Sequence, residues 1–311
     1  MTTDEYFNQW LKEQEGKIKT RTHNRYDELI ATHIKPSFDG VPIRKVTKEM
    51  VERYISEYLQ CQAGLADNSV LQIVGVIKRA FKQATSRGII KTNPTLDITL
   101  KHRQKKIDAF TEREQKKLER FIMKSGRARN YGILIALYTG LRIGELLALT
   151  WDDVDMRNAT LSISKTVGNL RISKGEKNPY LGTPKTAAGV RVIPYPKQLT
   201  PLFRLLKSTG GEYVISTIKG GYVQVNSYQK SFGKILKYLK ISHKGFHSLR
   251  HTYATRALES GADMKTLSEM LGHSSPTVTL ARYAHSTEKQ KLKLTQQVGS
   301  RLKRTDFYLE M

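Results

Sequence analysis

Residues 131–138 constrain the fold of this chain more than any other stretch, because their sequence, YGILIALY, is almost entirely apolar. A helix that is apolar on every side has to be buried, so we predict a buried helix here. The turn Thr139-Gly140 follows, and a second helix is predicted over residues 142–149. Arg142 therefore comes directly after a buried helix, where a cation is unexpected unless it binds an anion.

Arg142 also has a second interpretation. Glu145 lies three residues further along the predicted helix, a spacing that brings two side chains together. The two residues could form a surface ion pair without any substrate, and such pairs contribute little to stability. Alternatively, Glu145 braces Arg142 for a ligand. Spacing alone leaves both interpretations open.

The first hundred residues are predicted to be helical, because apolar residues recur there at helical spacing. Four helices are expected: one from Thr3 or Asp4, one over residues 24–34 that ends near Lys35-Pro36, one capped by Thr47, and one after Asp67-Asn68-Ser69. Asn93-Pro94 then breaks the pattern. A first domain is therefore expected over residues 1–95, followed by a linker over residues 96–108.

Residues 109–311 are expected to form a second, larger domain that begins with a capping-box pattern at Thr111. Residues 160–164 and 190–193 alternate between apolar and polar, as strands do, with turns expected at Asn178-Pro179 and Ala187–Gly189. Helices are predicted over residues 199–206, 227–239, 247–259 and 264–271, and from Ser275-Pro276 to Tyr283. The predicted fold class is mainly α, with a helical N-terminal bundle and a mainly α second domain that contains a small antiparallel sheet.

The charge of the chain indicates a polyanionic partner. The 53 Lys and Arg residues against 28 Asp and Glu residues give a net charge of +25, and such an excess is typical of proteins that bind nucleic acid. Both halves are basic, which favours a clamp, although a merely solvated basic surface is the alternative. The single cysteine, Cys61, excludes an internal disulfide and fits a reducing cytoplasm. No apolar run is long enough to span a bilayer.

Candidate DNA-binding residues fall in two places. Lys78, Arg79 and Lys82 lie on the polar side of the fourth predicted helix. A basic run in the linker supplies Arg103, Lys105 and Lys106. Exposed lysines are common on protein surfaces, so the alternative for both groups is a solvated face.

The sequence His247-Ser248-Leu249-Arg250-His251 brings proton-exchanging and anion-binding side chains to one helix. Arginine offers a planar fork of donors that matches two phosphate oxygens. His247 and His251 are also four residues apart, as in helical zinc pairs. However, no Glu follows the first histidine and the setting is rich in arginine, so no metal is expected. Histidines that only pack the helix are the other alternative.

A second histidine motif precedes a tyrosine. His273 follows Leu271-Gly272, and Tyr283 comes ten residues later. Pro276 breaks the helix between them, so the two side chains can converge on one pocket. Two arginines, two histidines and a helical tyrosine together indicate a site for a phosphodiester and a covalent bond between enzyme and DNA.

These residues resemble the motifs of the tyrosine recombinases, the phage-integrase family of site-specific DNA recombinases. The resemblance rests on the blocks TGLRIGELLALTWDD, HSLRHTYAT and LGHSS…RYAH, which occur in the family's order and cover roughly residues 110–290. Residues 1–95 resemble the family's core-type DNA-binding domain, and residues 109–311 its catalytic domain with a C-terminal tail. No further N-terminal domain for arm-type sites is found. The chain therefore resembles a minimal two-domain recombinase, or a longer one truncated at its start.

The resemblance implies a reaction without metal, nucleotide or other cofactor. Tyr283 would attack the scissile phosphate, form a 3′-phosphotyrosyl bond and free a 5′-hydroxyl, so that the bond energy is kept for rejoining. Arg142 and Arg250 would stabilise the phosphate charge. The implied supporting roles are general base or phosphate ligand for His247, a hydrogen bond to a nonbridging oxygen for His273, and orientation of the arginines or His247 for Glu145.

The family also uses a lysine on a hairpin turn as the acid for the leaving 5′-oxygen. Lys185, in the sequence TPKTAAGVRVIP, matches that pattern best. Lys165 is its rival, and Lys174 and Lys177 match less well.

The resemblance also implies partners. These are double-stranded DNA attachment or core sites, a homotetramer on DNA and an accessory excisionase or DNA-bending protein. The amphipathic segment after Tyr283 would dock on an adjacent protomer, or fold back on its own domain. Tyr308 is an alternative nucleophile by position, but no His or Arg motif frames it. Two other functional classes stay open: a type IB topoisomerase-like enzyme and a catalytically silent DNA-binding protein.

Overall fold

The computed structural model describes residues 1–100, 108–173, 176–184, 187–283 and 295–296, with side chains at all of these except residues 169–179, 281 and 282. The chain divides into two compact units. The first comprises Met1–Lys105 with Leu170–Asn178, and the second comprises Lys106–Asn169 with Pro179–Met311. Among the described residues, no helix has the length and apolar character needed to cross a membrane.

Residues 1–100 of the first unit form helices, as predicted. Its α-helices are α1 (Thr3–Glu13), α2 (Thr20–Leu29), α3 (Lys35–Phe38), α4 (Lys48–Arg53) and α5 (Asp67–Ser86). Wider π-helical turns join α2 to α3 over Ile30–Ile34 and extend α4 over Tyr54–Gln62. The core of this unit forms around α5, whose apolar side is fully buried.

Three predicted helix bounds in this unit are wrong. The helix predicted from residue 24 begins at Thr20. The helix expected to end near Lys35-Pro36 instead continues to Phe38, because the preceding π-helical turn leads directly into α3. Pro36 lies in the first turn of α3, where a missing N–H breaks no hydrogen bond within that helix. The fourth predicted helix corresponds to α5, which begins at Asp67 itself, after an extended Ala66. The predicted cap at Thr47 is confirmed, since its hydroxyl accepts a hydrogen bond from the Met50 amide at 3.3 Å.

The second unit holds α6 (Glu112–Ser125), α7 (Tyr131–Thr139), α8 (Ile143–Ala148), α9 (Thr200–Ser208), α10 (Val225–Tyr238), α11 (His247–Glu259), α12 (Met264–Leu271) and α13 (Pro276–Tyr283). The capping box at Thr111 is confirmed, because Thr111 and Glu114 exchange hydrogen bonds. Almost every residue of α7 is buried, as its composition requires. Helices α7 and α11 pack against each other, which brings the end of α7 beside the HSLRH sequence.

The predicted antiparallel sheet is confirmed. Strands β1 (Val154–Asp155), β2 (Thr160–Ile163) and β5 (Arg191–Pro194) pair in the order β1-β2-β5. Leu161 pairs with Ile193, and both face the core, whereas Val192 faces outward.

A second, two-stranded sheet lies between β2 and β5 in the sequence and was not predicted. It consists of β3 (Thr166–Ser173) and β4 (Glu176–Gly182). The turn expected at Asn178-Pro179 is therefore wrong, since both residues lie in β4. Each strand of a two-stranded sheet has one unpaired edge, where proline is tolerated despite its missing N–H. The turn at Ala187–Gly189 is confirmed as a short 3-10 helix.

Candidate active site

The ends of two helices hold the guanidinium group of Arg250. Arg250 lies on α11 and is only 1% exposed. Its Nη1 donates to the carbonyl of Gly140 at 3.0 Å, and its Nη2 to the carbonyl of Leu271 at 2.7 Å. A buried cation is costly unless it is paired or hydrogen-bonded, and carbonyls at helix C-termini carry partial negative charge. Burial, and then the charge of Arg142, lower the pKa of Arg250 to about 9, so it stays cationic at neutral pH.

A left-handed glycine lies at each of these two helix ends. Gly140 ends α7 with φ 70°, and Gly272 ends α12 with φ 64°, a conformation that glycine adopts without steric cost. A Cβ on Gly140 would lie 2.6 Å from the ring of Tyr253, and one on Gly272 would lie 2.7 Å from Nη1 of Arg191. Neither turn has room for a side chain.

Arg142 lies beside Arg250 and is more exposed. It precedes α8, and its Nη2 donates to the Gly272 carbonyl at 3.1 Å. Its Nη1 donates to Glu145 at 2.6 Å and to the Leu271 carbonyl at 3.4 Å. Both arginines therefore share the Leu271 carbonyl. The side chain of Arg142 is 38% exposed, so its guanidinium is held on the protein side and still accessible to a ligand.

Glu145 is buried, which argues against a simple surface ion pair with Arg142. Its side chain is 3% exposed and accepts from the Arg142 amide at 3.0 Å and from Nη2 of Arg191 at 3.0 Å. Burial raises the pKa of Glu145, but the hydrogen bond and charge of Arg191, with the charge of Arg142, outweigh it, and the net pKa is lowered. Glu145 is therefore a carboxylate that binds two arginines.

Arg191 was missed by the sequence analysis. It lies on β5, its side chain is 8% exposed, and it also donates to the carbonyls of Gly189 at 3.0 Å and Met270 at 2.8 Å. The sequence did contain a signal for Arg191, because the period of two in β5 puts it on the same face as buried Ile193. An arginine on the inner face of a strand needs buried acceptors, and Arg191 finds them in Glu145 and two backbone carbonyls.

The histidine in hydrogen-bond contact with Tyr283 is His251, whereas the sequence candidate was His247. Nδ1 of His251 lies 2.6 Å from the hydroxyl of Tyr283. His247 is exposed, and its ring meets that of His251 edge to face, with centroids 4.7 Å apart. His273 is oriented by a 2.7 Å contact between its Nδ1 and the hydroxyl of Thr279.

Tyr283 lies at the end of α13 and is 9% exposed. It packs in a small cluster with Ala254 of α11 and with Leu267 and Leu271 of α12. Its hydroxyl contacts His251, the residue that follows Arg250 on α11, so the tyrosine lies close to the arginines. The sequence candidates Arg142, His247, Arg250 and Tyr283 are thus brought to one region.

Of the four lysine candidates, the structure describes the side chain of Lys165. Lys185 lies outside the described residues, as do Lys174 and the side chain of Lys177. Lys165, the rival, follows β2, and its ammonium contacts Asp153 at 2.8 Å and the Thr150 hydroxyl at 2.9 Å. A carboxylate thus already binds Lys165.

The three basic candidates on α5 have different surroundings. Lys78 is half-buried and donates to the carbonyl of Ile98. Arg79 is exposed, with its guanidinium 5.1 Å above the ring of Tyr26, and Lys82 is exposed. The linker candidates Arg103, Lys105 and Lys106, and also Tyr308, lie outside the described residues. In the part of the chain that the structure describes, no three His, Cys, Asp or Glu side chains cluster as a metal site would require.

The sequence is similar to two protein domain families, which together cover most of the chain. Residues 103–290 match the phage integrase family, and residues 4–104 match the phage integrase SAM-like domain. A tyrosine recombinase XerC-like protein of Caldanaerobacter subterraneus subsp. tengcongensis is 28% identical over 88% of this chain and 76% of its own. Tyrosine recombinase XerC of Pediococcus pentosaceus is 30% identical over 73% of this chain and 74% of its own.

Solved structures share the fold of this chain. The integrase of transposon Tn1549 in complex with transposon right end DNA has a TM-score of 0.82 and 25% identity, covering 96% of this chain and 100% of that chain. A lambda integrase dimer bound to a core site has a TM-score of 0.70 and 20% identity, covering 91% and 77%, and so supports the fold alone. The chain therefore belongs to the phage integrase family of tyrosine recombinases, which are site-specific DNA strand transferases.

Proposed function

We propose that Tyr283 is the nucleophile with which this recombinase cuts and rejoins DNA during integration or excision of a phage or mobile element. The observation that carries the proposal is the pair of guanidinium groups of Arg142 and Arg250, joined at the Leu271 carbonyl. Two fixed cations near a helical tyrosine suit a phosphodiester, whose nonbridging oxygens accept paired hydrogen bonds.

In the proposed reaction, the Tyr283 oxygen attacks the phosphorus and the bond from phosphorus to the 5′-oxygen breaks. The tyrosine loses its proton, and the leaving oxygen gains one. The 3′-phosphotyrosyl bond keeps the energy of the broken bond, so rejoining needs no nucleotide. Arg142 and Arg250 stabilise the charge that develops on the phosphate.

The remaining residues take supporting roles in this proposal. His247 is exposed next to the arginines, which suits a phosphate ligand. His273, oriented by Thr279, donates to a nonbridging oxygen. Glu145 holds Arg142 in place. We assign the leaving-group proton to Lys185, because the contacts of Lys165 with Asp153 and Thr150 would first have to break.

The DNA partner is proposed to be a double-stranded attachment or core site. Residues 1–95 would form the core-binding domain, 96–108 the linker and 109–311 the catalytic domain. Exposed Lys82 and Arg79 are proposed to contact the backbone. We also propose Arg103, Lys105 and Lys106 as linker contacts. Lys78 is the weakest candidate, because it already binds the Ile98 carbonyl.

The assembly is proposed to be a homotetramer, because one solved relative is a lambda integrase tetramer bound to a Holliday junction. An excisionase or DNA-bending protein is proposed to assist, and the reaction to take place in the cytoplasm.

The nucleophile is tested with a nicked suicide substrate that carries the cognate site, in EDTA. Wild-type protein should form an adduct of protein and DNA that survives SDS. Tyr283→Phe should form none, whereas Tyr238→Phe, a matched change at a tyrosine that is 73% exposed, should form as much as wild type. An adduct with Tyr283→Phe would refute the assignment.

Strand exchange separates the proposal from a topoisomerase-like enzyme. When two cognate sites are present in trans, the protein should yield recombinant joints. Relaxation of supercoils without any joints would favour the topoisomerase-like activity.

A further inference from the structure

We infer that His251 is the general base that takes the proton from Tyr283 during strand cleavage. The inference deepens the proposed function and depends on Tyr283 being the nucleophile. Nδ1 of His251 lies 2.6 Å from the Tyr283 hydroxyl, within the range in which a base can abstract a proton. The tyrosine hydroxyl donates to this nitrogen when Nδ1 carries no hydrogen, as in one neutral tautomer of imidazole.

The proton and electrons balance without any further reactant. The Tyr283 proton moves to Nδ1 of His251, which becomes imidazolium, while the phenolic oxygen bonds to phosphorus. The bond from phosphorus to the 5′-oxygen breaks, its electron pair stays on that oxygen, and the leaving-group acid protonates it. On rejoining, the 5′-hydroxyl returns its proton to the leaving-group acid as its oxygen attacks the phosphorus. The bond from phosphorus to the tyrosine oxygen breaks, and the imidazolium returns its proton to that oxygen.

A base is needed because an ordinary tyrosine has a pKa of about 10 and so carries its proton at neutral pH. Transferring the proton as the new bond to phosphorus forms avoids making a free phenolate first. A histidine in contact with the hydroxyl can take that proton and give it back near neutral pH.

The structure separates the roles of the two histidines on α11. His251 is half-buried and touches Tyr283, with ring centroids 5.9 Å apart. His247 lies one helical turn earlier and is exposed, so it is accessible to the phosphate.

Contacts of the neighbouring residues fix the place of His251 on α11. Its neighbours on α11, Arg250 and Thr252, are both buried. Arg250 binds the ends of α7 and α12, and the Thr252 hydroxyl accepts from the Phe110 amide at 2.8 Å. A base held in this way keeps its distance to the tyrosine once α13 is in place.

The test is single-turnover cleavage of the suicide substrate by His251→Asn. Asparagine can present an oxygen close to the position of Nδ1, so the hydrogen bond can persist without a basic nitrogen. We expect DNA binding to stay within a few-fold of wild type and cleavage to slow by about 10²- to 10⁴-fold. His251→Gln provides a second variant if the first does not fold.

A more acidic phenol at position 283 distinguishes a general base from a structural residue, because such a phenol loses its proton more readily when the base is missing. Incorporating 3,5-difluorotyrosine there should recover most of the lost rate in the His251→Asn protein and change the rate of the wild type little. His247→Asn is the matched control; it should also cleave slowly, but without recovery by the fluorinated residue. A substrate whose 5′-bridging oxygen is sulfur needs no acid, and it should not rescue His251→Asn.

Two outcomes would overturn the assignment: cleavage by His251→Asn at the wild-type rate, or no recovery with difluorotyrosine. Rescue by the sulfur substrate would do so as well, since it would make His251 the acid. These outcomes are distinguishable from failure of the proposed nucleophile, because that failure would appear as an adduct with Tyr283→Phe.

Discussion

The arginines of the candidate site and the basic residues of α5 carry the same charge in opposite settings. Arg250 and Arg191 are buried, and carbonyls and a carboxylate fix their guanidinium groups. Arg79 and Lys82 are exposed. A fixed guanidinium selects one geometry of phosphate and needs no rearrangement as charge develops, whereas a solvated cation adds affinity with little regard to position. Substitutions should therefore be costly in the first group and mild in the second.

The largest effect is expected from Arg191→Met, which leaves the buried Glu145 carboxylate with Arg142 as its remaining arginine. Removing one partner of a buried ion pair costs about 3–5 kcal/mol of stability. Urea unfolding should record this loss. The double variant Arg191→Met/Glu145→Gln should regain part of it, because position 145 then no longer buries a carboxylate. An Arg191→Met protein as stable as wild type would show that Glu145 does not depend on Arg191.

Arg250→Lys is expected to have the next largest effect. Lysine keeps the charge but lacks the planar fork that reaches the Gly140 and Leu271 carbonyls together. Cleavage of the suicide substrate should fall by about 10²- to 10³-fold, with DNA binding within a few-fold of wild type. Arg79→Lys is the control and should cleave as wild type does. Equal loss in both variants would remove the distinction between the two groups.

Features that depend on local pattern could be predicted from the sequence. The apolar composition of α7, the cap at Thr111 and the ends of α11 follow from residues close in the chain. The spacing of the histidine and arginine motifs, with the family resemblance, selected residues that the fold brings near one another. The π-helical turns could not be predicted, because such short segments have no sequence periodicity of their own.

Contacts between distant residues were the second limit. Arg191 and Glu145 are 46 residues apart, and His251 and Tyr283 are 32 apart. Neither pair has a spacing that a helix or hairpin rule could detect. The second sheet, β3 with β4, was missed because Asn178-Pro179 indicated a turn. In each case, tertiary packing decided what local propensity left open.

A smaller effect is expected from pH on the stability contributed by Glu145. The unfolded chain takes up this proton near the ordinary pKa of 4.5, whereas the folded protein takes it up only at a lower pH. Between these values the unfolded chain binds more protons, so the free energy of unfolding falls as pH falls. Above pH 4.5 the contribution is complete. In Glu145→Gln, urea unfolding should lose stability less steeply below pH 4.5 than in wild type, and identical slopes would contradict the lowered pKa.

The smallest effect is expected from Lys82→Ala, on the exposed side of the comparison. If Lys82 neutralises one DNA phosphate, its loss should weaken binding equally for cognate and unrelated DNA and reduce the slope of log K against log salt by about 1. Cleavage at saturating protein should be unchanged, because Lys82 holds no part of the site. Lys78→Ala is the informative comparison: its ammonium binds the Ile98 carbonyl, so it should alter stability and leave the salt slope as it is. A slope lowered by Lys78→Ala and untouched by Lys82→Ala would reverse the roles of the two lysines and place the DNA-facing side of α5 elsewhere.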